Sequence, residues 1–353
     1  MKIATIEGIT EKTIATDRLT TRVLFSGPQD GIPVLFLHGN VSSATWWEEA
    51  MVALPEGFQG IAPDQRGFGE ADPTKKIDAT RGMGDLADDA AALLDHLGME
   101  KAYLVGNSLG GMVIWEMIKL HPAKCASIIL VDPGSPYGFG ATRDDQGTPT
   151  TPDFAGSGGG LSNPELIKLI KEGNRTMDSP FSALSALRTL LVKPPFISAR
   201  EEELLSAMLS TQIGPQEVPG DAEQSANWPH VAPGKWGATN ATSPKYQDGL
   251  EKIADLEPKV PVLWVRGADD MVVSDTAAAD PGFLGRIGLL PGWPGEEAYP
   301  PQPMVAQTRA VLDSYSAEGG SYREIVIDDA GHVPFLEKPE EFNRVFHQHL
   351  LEG

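Results

Sequence analysis

Cysteine is almost absent from this sequence, which contains only Cys125 among its 353 residues. A single cysteine excludes a disulfide within the chain. Cys125 begins the apolar run CASIILVD, a position typical of a small core residue. We therefore expect Cys125 to be buried in the core, and a cysteine nucleophile is disfavoured.

Basic residues are also few, since 28 Lys and Arg stand against 49 Asp and Glu, for a formal net charge of −21 at pH 7. Such a charge repels nucleic acid and anionic membrane surfaces over a long range. Neither is expected as a partner. Small neutral or cationic ligands remain compatible with this charge.

Long hydrophobic runs are missing as well. No stretch approaches the roughly 18 consecutive apolar residues of a membrane-spanning helix, and the N-terminal MKIATIEGIT lacks the apolar segment of a secretory signal. The hydrophobic content of 41% is nevertheless typical of a globular protein. We expect a soluble, cytoplasmic protein without a membrane span.

Strand-like and helix-like segments alternate through residues 1–133 and again through 259–353. Examples are the strand-like PVLFLHG, the helix-like DLADDAAALLDHLG and the strand-like YREIVIDD. This alternation predicts an α/β fold with a mostly parallel sheet and helices on both faces. We expect the two segments to form one core that binds its ligand beyond the carboxyl ends of the strands.

Residues 134–258 interrupt the alternation. A turn-rich stretch, GSPYGFGATRDDQGTPTTPDFAGSGGG, precedes helical patterns such as NPELIKLIKEGN and SAREEELLSAMLSTQ. We predict an all-helical cap over the carboxyl ends of the strands. A second loop insertion is predicted within the core at residues 275–308. Its stretch 280–303 is so rich in proline and glycine that long regular elements are not expected there.

The stretch VGNSLGGMV, residues 105–113, places Ser108 in the pattern G-x-S-x-G. The strand-like KAYLV precedes it, and the helical pattern LGGMVIWEMIKLHP follows it. A tight strand-to-helix turn of this kind holds a serine hydroxyl out above the strand ends, which suits a nucleophile. The first backbone N–H of the helix, that of Leu109, would be available to a developing oxyanion.

A serine hydroxyl is a weak nucleophile unless a histidine takes its proton and a carboxylate orients that histidine. The seven histidines of the chain differ in where they lie relative to the predicted strands and helices. His332 alone lies in a loop directly after a late strand, with a glycine before it. His332 is therefore the expected general base, and kcat/KM is expected to rise with pH through one ionisation near neutrality.

Two pairs of aspartates are candidates for the carboxylate. Asp269 and Asp270 come directly after the strand-like VLWVRG, on a loop where an orienting acid belongs. Asp328 and Asp329 lie on the strand end that leads to the predicted base, and we expect them to be solvated or to form a turn.

The order Ser, Asp, His and the G-x-S-x-G turn between strand and helix resemble the α/β-hydrolase superfamily. Further stretches are similar to markers of that superfamily: HGN at 38–40, DQRGFG at 64–69, GADDMVV at 267–273 and GHVPFLEKPEEF at 331–342. The resemblance covers residues 12–133 and 259–353. It implies a mostly parallel, eight-stranded α/β-hydrolase sheet with helices on both faces and an inserted helical cap.

The resemblance also implies roles for single residues. It assigns Asp270, the fourth residue of a G-x-x-D pattern, as the acid that orients His332. The backbone N–H groups of Asn40 and Leu109 become the oxyanion donors, with Val41 as a competing donor in the HGN turn.

For several other residues the sequence indicates a role less specifically. Trp46 and Trp47 follow the HGN turn and are candidates for lining the substrate pocket, with a place in the core as the alternative. Trp228 and Trp236 are candidates for covering the substrate, again with packing as the alternative. DQRGFG is interpreted as structural, with Arg66 bound to local carboxylates.

The motif HQH at 347–349 does not predict a metal site. Residues i and i+2 face different sides of a helix, and the sequence contains no H-E-x-x-H motif. Neither a metal nor a cofactor is predicted.

These observations predict a serine hydrolase that cleaves a carboxylic ester or lactone of a small apolar substrate through an acyl-enzyme intermediate. Ser108 disfavours haloalkane dehalogenases and epoxide hydrolases, which use a carboxylate at this position. The turn GNSLGG is also similar to that of meta-cleavage C–C hydrolases. Those enzymes usually carry H-G-x-G-P-G and a tryptophan soon after the histidine, whereas this chain has HGNVSS and GHVPF. A non-catalytic ligand-binding protein of the same fold is a third alternative.

Overall fold

In the computed structural model of the chain, residues 3–247, 250–255 and 257–352 are described. Residues 1, 2, 248, 249, 256 and 353, which belong to the predicted core and cap segments, lie outside the described residues. The described part contains twelve strands: β1 (Thr10–Ala15), β2 (Thr20–Ser26), β3 (Ile32–Leu37), β4 (Phe58–Pro63), β5 (Ala102–Asn107), β6 (Cys125–Val131), β7 (Ile213–Gly214), β8 (Val218–Pro219), β9 (Ala222–Gln224), β10 (Val231–Pro233), β11 (Pro261–Gly267) and β12 (Ser321–Ile327).

The same residues form eleven α-helices: α1 (Glu48–Val52), α2 (Gly84–His96), α3 (Leu109–Leu120), α4 (Pro164–Lys171), α5 (Ala183–Ala186), α6 (Glu201–Leu209), α7 (Ala238–Ala241), α8 (Pro281–Arg286), α9 (Met304–Ala317), α10 (Pro334–Glu337) and α11 (Pro339–Glu352). Shorter 3₁₀ turns occur at Ala44–Trp47, Ala79–Arg81, Pro122–Lys124, Gly159–Leu161, Pro244–Tyr246 and Leu250–Asp255, and a π-helical turn occurs at Leu187–Leu191. No helix in this part of the chain is both long enough and apolar enough to cross a membrane.

Eight strands form one sheet, in the spatial order β1-β2-β4-β3-β5-β6-β11-β12. β1 and β4 pair antiparallel with β2, and all other neighbours are parallel. Every residue of β4 and β5 is buried, as expected for strands covered by helices on both faces. The predicted mostly parallel, eight-stranded sheet is confirmed.

Two hydrophobic cores lie on opposite faces of this sheet, because successive side chains of a strand point to opposite faces. In β3, Leu35 and Leu37 face the core that contains α2 and α3, whereas Val34 and Phe36 face the core that contains α11. Cys125 is buried in the first core, as expected. Burial raises the pKa of the Cys125 thiol to about 12, so this residue is not a thiolate at neutral pH.

The chain between β6 and β11 contains helices α4 to α7 and also two small sheets. β7 pairs with β8 in parallel, and β9 pairs with β10 in antiparallel fashion. The prediction of an all-helical insertion is therefore wrong. These strands have only two or three residues, and β8 and β10 both end in proline, so they are too short to produce an alternating pattern in the sequence.

The segment predicted as a second insertion, 275–308, contains one short helix, α8, before α9 begins at Met304. Asp280 caps α8 by accepting the N–H of Phe283 at 2.8 Å. Residues 275–303, all of them described, thus carry no long regular element, in agreement with their proline and glycine content.

The parallel strands place several polar residues at one edge of the sheet, because their carboxyl ends meet there. Asn40 follows β3, Ser108 follows β5, Asp132 follows β6, Asp270 follows β11 and His332 follows β12. This edge is where the sequence predicts ligand binding.

A buried ion pair fixes the loop after β4 to strand β2. Arg22 on β2 donates to both carboxylate oxygens of Asp64, at 3.0 and 3.1 Å, and the two side chains are 4% and 0% exposed. Asp64 also accepts the backbone N–H groups of Ala44 and Glu70, at 3.0 and 2.9 Å. It therefore connects β2 with two loops at the carboxyl edge of the sheet.

Replacement of Asp64 by alanine is expected to lower the free energy of unfolding by about 3–5 kcal/mol, because the buried Arg22 charge would lose its partner. Urea denaturation of the purified variant measures this change. The control is Glu202→Ala, which removes a 73% exposed partner of Arg175 and is expected to cost less than about 1 kcal/mol. Equal losses of unfolding free energy in the two variants would contradict the larger contribution expected from the buried pair.

Candidate active site

Ser108 occupies a strained turn between β5 and α3. Its backbone has φ of +56°, outside the usual range for a residue with a side chain. A Cβ atom at Gly110 would collide with the carbonyl oxygen of Leu37, and one at Gly106 would collide with the carbonyl oxygen of Gly110. The glycines on both sides therefore allow the tight strand-to-helix turn that the sequence predicts.

Asn107 connects this turn to the loop of the predicted base. Its side-chain amide donates to the carbonyl oxygen of His332 at 3.0 Å and to that of Val131 at 3.1 Å. The Ser108 N–H also donates to Val131, at 3.1 Å. Asn107 had no predicted structural role, although its place directly before the predicted nucleophile was a usable signal.

His332 and Asp270 form a buried pair. His332 Nδ1 lies 2.8 Å from Asp270 Oδ2, and the two side chains are 4% and 3% exposed. The other oxygen of Asp270 accepts the N–H groups of Val272 and Val273 at 2.7 and 3.2 Å. These bonds orient the carboxylate, and a carboxylate beside Nδ1 favours the tautomer of His332 that has its proton on Nδ1.

The neighbouring aspartates point elsewhere. Asp269 is 43% exposed and forms an ion pair with Lys193 at 2.7 Å. Asp329 is 68% exposed and pairs with both Lys193 and Lys338, at 2.8 and 2.9 Å. Asp328 is exposed. Of the four aspartates considered from the sequence, Asp270 is the one that contacts His332.

A cavity of about 200 Å³ opens at the predicted nucleophile. None of the described charged side chains lines it, and most of its lining is apolar. The lining residues are Asn40, Ser108, Leu109, Met112, Gly134, Phe139, Gly158, Leu161, Ser162, Thr239, Thr242, Val272, Val273 and Ala279.

The predicted oxyanion donors both lie in this cavity. Neither the N–H of Asn40 nor that of Leu109 has a hydrogen-bond acceptor in the part of the chain that the structure describes. The competing donor, the N–H of Val41, is occupied by the side-chain oxygen of Asn40 at 3.0 Å. This occupancy favours Asn40 over Val41 as a donor.

The structure therefore brings His332 and Asp270 into contact and places Ser108, Asn40 and Leu109 around one cavity. Among the described residues, no hydrogen bond joins Ser108 Oγ to His332. Such bonds are commonly long without substrate and shorten when it binds.

Trp46 and Trp47 do not line the cavity, so the pocket role considered for them is wrong. Trp47 is fully buried and stacks on Phe335 with ring centroids 4.1 Å apart. Trp46 is 4% exposed, and its indole N–H donates to the carbonyl of Leu204 at 3.2 Å. The turn Ala44–Trp47 directs both rings into the core and against α6.

The two cap tryptophans are also outside the cavity lining. The Trp228 indole N–H donates to the carbonyl of Pro291 at 2.8 Å, and its ring meets the edge of Tyr299 at 4.8 Å. Trp236 is 36% exposed. Trp228 is therefore a packing residue, which is the alternative that the sequence left open.

Further hydrogen bonds join the cap to the second insertion. The Tyr299 hydroxyl donates to the carbonyl of Ala155 at 2.9 Å. The Gln302 side chain donates to the carbonyl of Gly138 at 2.9 Å and accepts the N–H of Gly140 at 2.6 Å. Both segments also contribute residues to the cavity lining.

His38 of the HGN turn is a buried structural residue. Its Nε2 accepts the N–H of Gln65 at 3.0 Å, and burial lowers the pKa of His38 to about 4. It is therefore neutral and joins the HGN turn to the DQRGFG loop. Arg66 in that loop donates to both oxygens of Asp89 at 2.7 Å, which agrees with its predicted structural role.

Asp132 is another residue of this site that sequence analysis missed. A carboxylate oxygen of Asp132, a carboxylate oxygen of Asp270 and a ring nitrogen of His332 all lie within 4.8 Å of one another. All three residues are buried. The available signal was its position at the end of the buried strand in SIILVDPG, the same position relative to a strand that drew attention to Asp270.

Part of the chain is similar in sequence to known proteins. Residues 32–158 match the family model for the alpha/beta hydrolase fold. The chain is similar to the AB hydrolase superfamily protein YfhM of Bacillus subtilis, with 29% identity over 133 residues, or 37% of this chain and 46% of that protein. It is also similar to epoxide hydrolase B of Mycobacterium tuberculosis, with 34% identity over 122 residues, or 31% of this chain and 34% of that protein.

The matched stretch thus spans less than half the length of each of these curated relatives. A likeness of fold extends over nearly the whole chain. The crystal structure of carboxylesterase CesB from Bacillus subtilis superposes with a TM-score of 0.57 at 17% identity, covering 98% of this chain and 92% of that one. The family match over residues 32–158, the order of the sheet and the strand-to-helix turn agree, and the chain has the α/β-hydrolase fold.

Proposed function

We propose that this protein is a serine hydrolase that cleaves a carboxylic ester or lactone of a small, uncharged substrate through an acyl-enzyme intermediate. The observation that carries the proposal is a serine, rather than a carboxylate, on the strained turn at the cavity. The adjacent Asn107 binds the backbone of His332, the histidine that contacts Asp270. Asn40 and Leu109, whose N–H groups have no acceptor among the described residues, both line this cavity and support an oxyanion site there.

The proposed reaction begins when Ser108 Oγ attacks the carbonyl carbon and transfers its proton to His332 Nε2. The oxyanion accepts hydrogen bonds from the N–H groups of Asn40 and Leu109. Asp270 stabilises the imidazolium, which then protonates the leaving alkoxide. Water, deprotonated by His332, attacks the acyl-enzyme, releases the acid and restores Ser108.

The uncharged lining limits the substrate class. A charged group moved from water into this cavity would meet no counter-charge among the lining side chains, which is costly. The apolar surface comes from Met112, Phe139, Leu161, Val272 and Val273. A small acyl group without charge fits this chemistry best.

Labelling with a fluorophosphonate tests the proposal, because such probes react with an activated serine. We expect one adduct, located by mass spectrometry on the peptide that contains Ser108, and release of p-nitrophenol from its acetate or butyrate ester. A panel of esters and lactones of increasing chain length then defines the substrate. Turnover of meta-cleavage C–C substrates without turnover of esters would favour that alternative. Absence of both labelling and turnover would favour the non-catalytic one.

Thr239 lines this cavity and is a candidate for a polar contact with the substrate. Its hydroxyl oxygen is buried and has no hydrogen-bond partner among the described residues. The hydroxyl of Thr242, by contrast, donates to the carbonyl of Thr239 at 2.8 Å. We propose that the Thr239 hydroxyl rotates toward the cavity and donates to a second oxygen of the substrate.

Replacement of Thr239 by valine is expected to lower kcat/KM roughly 3- to 10-fold for lactones or hydroxy esters, because valine keeps the volume and removes one hydrogen bond. Thr239→Ser should retain the wild-type value. The matched control Thr242→Val lines the same cavity and should change kcat/KM little. Wild-type activity of Thr239→Val on every ester and lactone of the panel would contradict this role.

A further inference from the structure

Asp132 is held rigidly beside the predicted acid and base. It follows β6 with φ of +43°, and its side chain belongs to a residue only 2% exposed. Its N–H donates to the carbonyl of Val265 at 2.9 Å, and its Oδ1 accepts the N–H of Gly267 at 3.0 Å. Both contacts are with β11, the strand that leads to Asp270.

The surroundings of the two carboxyl groups are unequal. Both oxygens of Asp270 accept hydrogen bonds, from His332 and from the N–H groups of Val272 and Val273. Asp132 Oδ2 is buried, and no N–H or hydroxyl group of the described residues donates to it. The donors therefore stabilise a negative charge on Asp270 and leave one oxygen of Asp132 for a proton.

The charged groups around Asp132 also favour its protonated form. Burial, the negative charge of Asp270 and a hydrogen bond with Asp270 raise the pKa of Asp132 well above its ordinary value, and the Gly267 N–H and Arg266 oppose this less strongly. Arg266 is itself paired with Glu324 at 2.8 Å. The other titratable group in the cluster, His332, already contacts Asp270.

We propose that Asp132 is a neutral carboxylic acid at working pH, donates a hydrogen bond from Oδ2 to Asp270, and is a positioning residue for the Asp270–His332 pair. Its role in catalysis rests on the proposed hydrolase function, whereas its protonation does not. A second anion beside His332 would stabilise the imidazolium and hold its proton too strongly for a base at neutral pH. Neutral Asp132 orients Asp270 without adding that charge.

The Asp132→Asn variant separates a neutral Asp132 from an ionised one, because asparagine is uncharged, nearly isosteric and able to donate to Asp270. We expect the midpoint of the pH profile of kcat/KM to stay within about 0.3 pH unit of the wild-type value. If Asp132 were ionised, the variant would lose a negative charge near His332, and the midpoint would fall by about one unit or more. A fall of that size would overturn the proposal.

The Asp132→Leu variant tests positioning, because it removes the hydrogen bond to Asp270. We expect kcat to fall roughly tenfold or more with little change in KM, and the Asn variant to restore most of the loss. An Asn variant as impaired as the Leu variant would overturn the positioning role. If the Leu variant does not fold, the Asn variant and its pH profile still decide the charge state.

Infrared difference spectroscopy of wild type minus Asp132→Asn reports protonation without turnover. We expect the carbonyl band of one neutral carboxylic acid at neutral pH, since other protonated carboxyl groups are common to both proteins and cancel. A difference spectrum without this band overturns the proposal even in an active hydrolase. The band in a protein without ester or lactone turnover would instead reject the proposed function and leave the protonation intact.

Discussion

Replacement of Ser108 by alanine is expected to lower kcat by about 10⁶-fold, because the proposed mechanism loses the oxygen atom that would form the acyl-enzyme. The fold should persist, since alanine also carries a Cβ atom and the backbone of Ser108 already adopts φ of +56° with one. Initial rates on the best ester or lactone, together with the unfolding transition, measure both expectations. The fluorophosphonate adduct should disappear in the same variant.

A second serine of the cavity provides the matched control. Ser162 also lines the cavity but lies in the cap, far along the chain from the strained turn, so Ser162→Ala should keep its activity within about tenfold. His332→Ala should match the loss in Ser108→Ala, and the double variant should be little worse than either single one, because the residues act as a unit. Near-normal rates in Ser108→Ala would reject the nucleophile. Additive losses would mean that Ser108 and His332 do not share a mechanism.

Replacement of Asp270 by asparagine is expected to lower kcat by roughly 10⁴-fold, because an amide at this place favours the wrong tautomer of His332. The carboxylate lies 2.8 Å from His332 Nδ1, so the substitution acts directly on the base. The variant should remain folded, since asparagine can still accept the N–H groups of Val272 and Val273. Rates of purified protein across pH measure the loss.

The adjacent aspartate is the natural control for this substitution. Asp269→Asn changes a carboxylate one residue away that is exposed and paired with Lys193, so it should cost less than about tenfold in kcat. The reverse order of effects would assign the orienting role to Asp269. Activity in both variants would place the acid elsewhere.

Local signals explain why parts of this site could be predicted from the sequence. The turn at Ser108 depends on neighbouring glycines and on the strand and helix that flank it, all within a short stretch. The choice of Asp270 over Asp269 came from resemblance to a family pattern. The structure provides its physical reason, because Asp270 points to His332 and Asp269 points to Lys193.

Other features depend on contacts between distant parts of the chain. Proximity in sequence to the HGN turn suggested Trp46 and Trp47 as pocket residues, but the direction of a side chain depends on its partners, here Leu204 and Phe335. The significance of Asp132 likewise becomes visible only when β6 and β11 are neighbours in the sheet. The small sheets of the cap are held by pairing between short strands, which leaves no periodic pattern in the sequence.

The hydrogen bonds between the cap and the second insertion have a consequence for how substrate range can change. Gln302 and Tyr299 bind backbone groups of Gly138, Gly140 and Ala155, so the two segments share one network although β11 separates them in the chain. A cap transplanted alone from a relative would lose these acceptors and donors. We therefore expect an engineered change of substrate range to need exchange of both segments together, because only the pair keeps these hydrogen bonds.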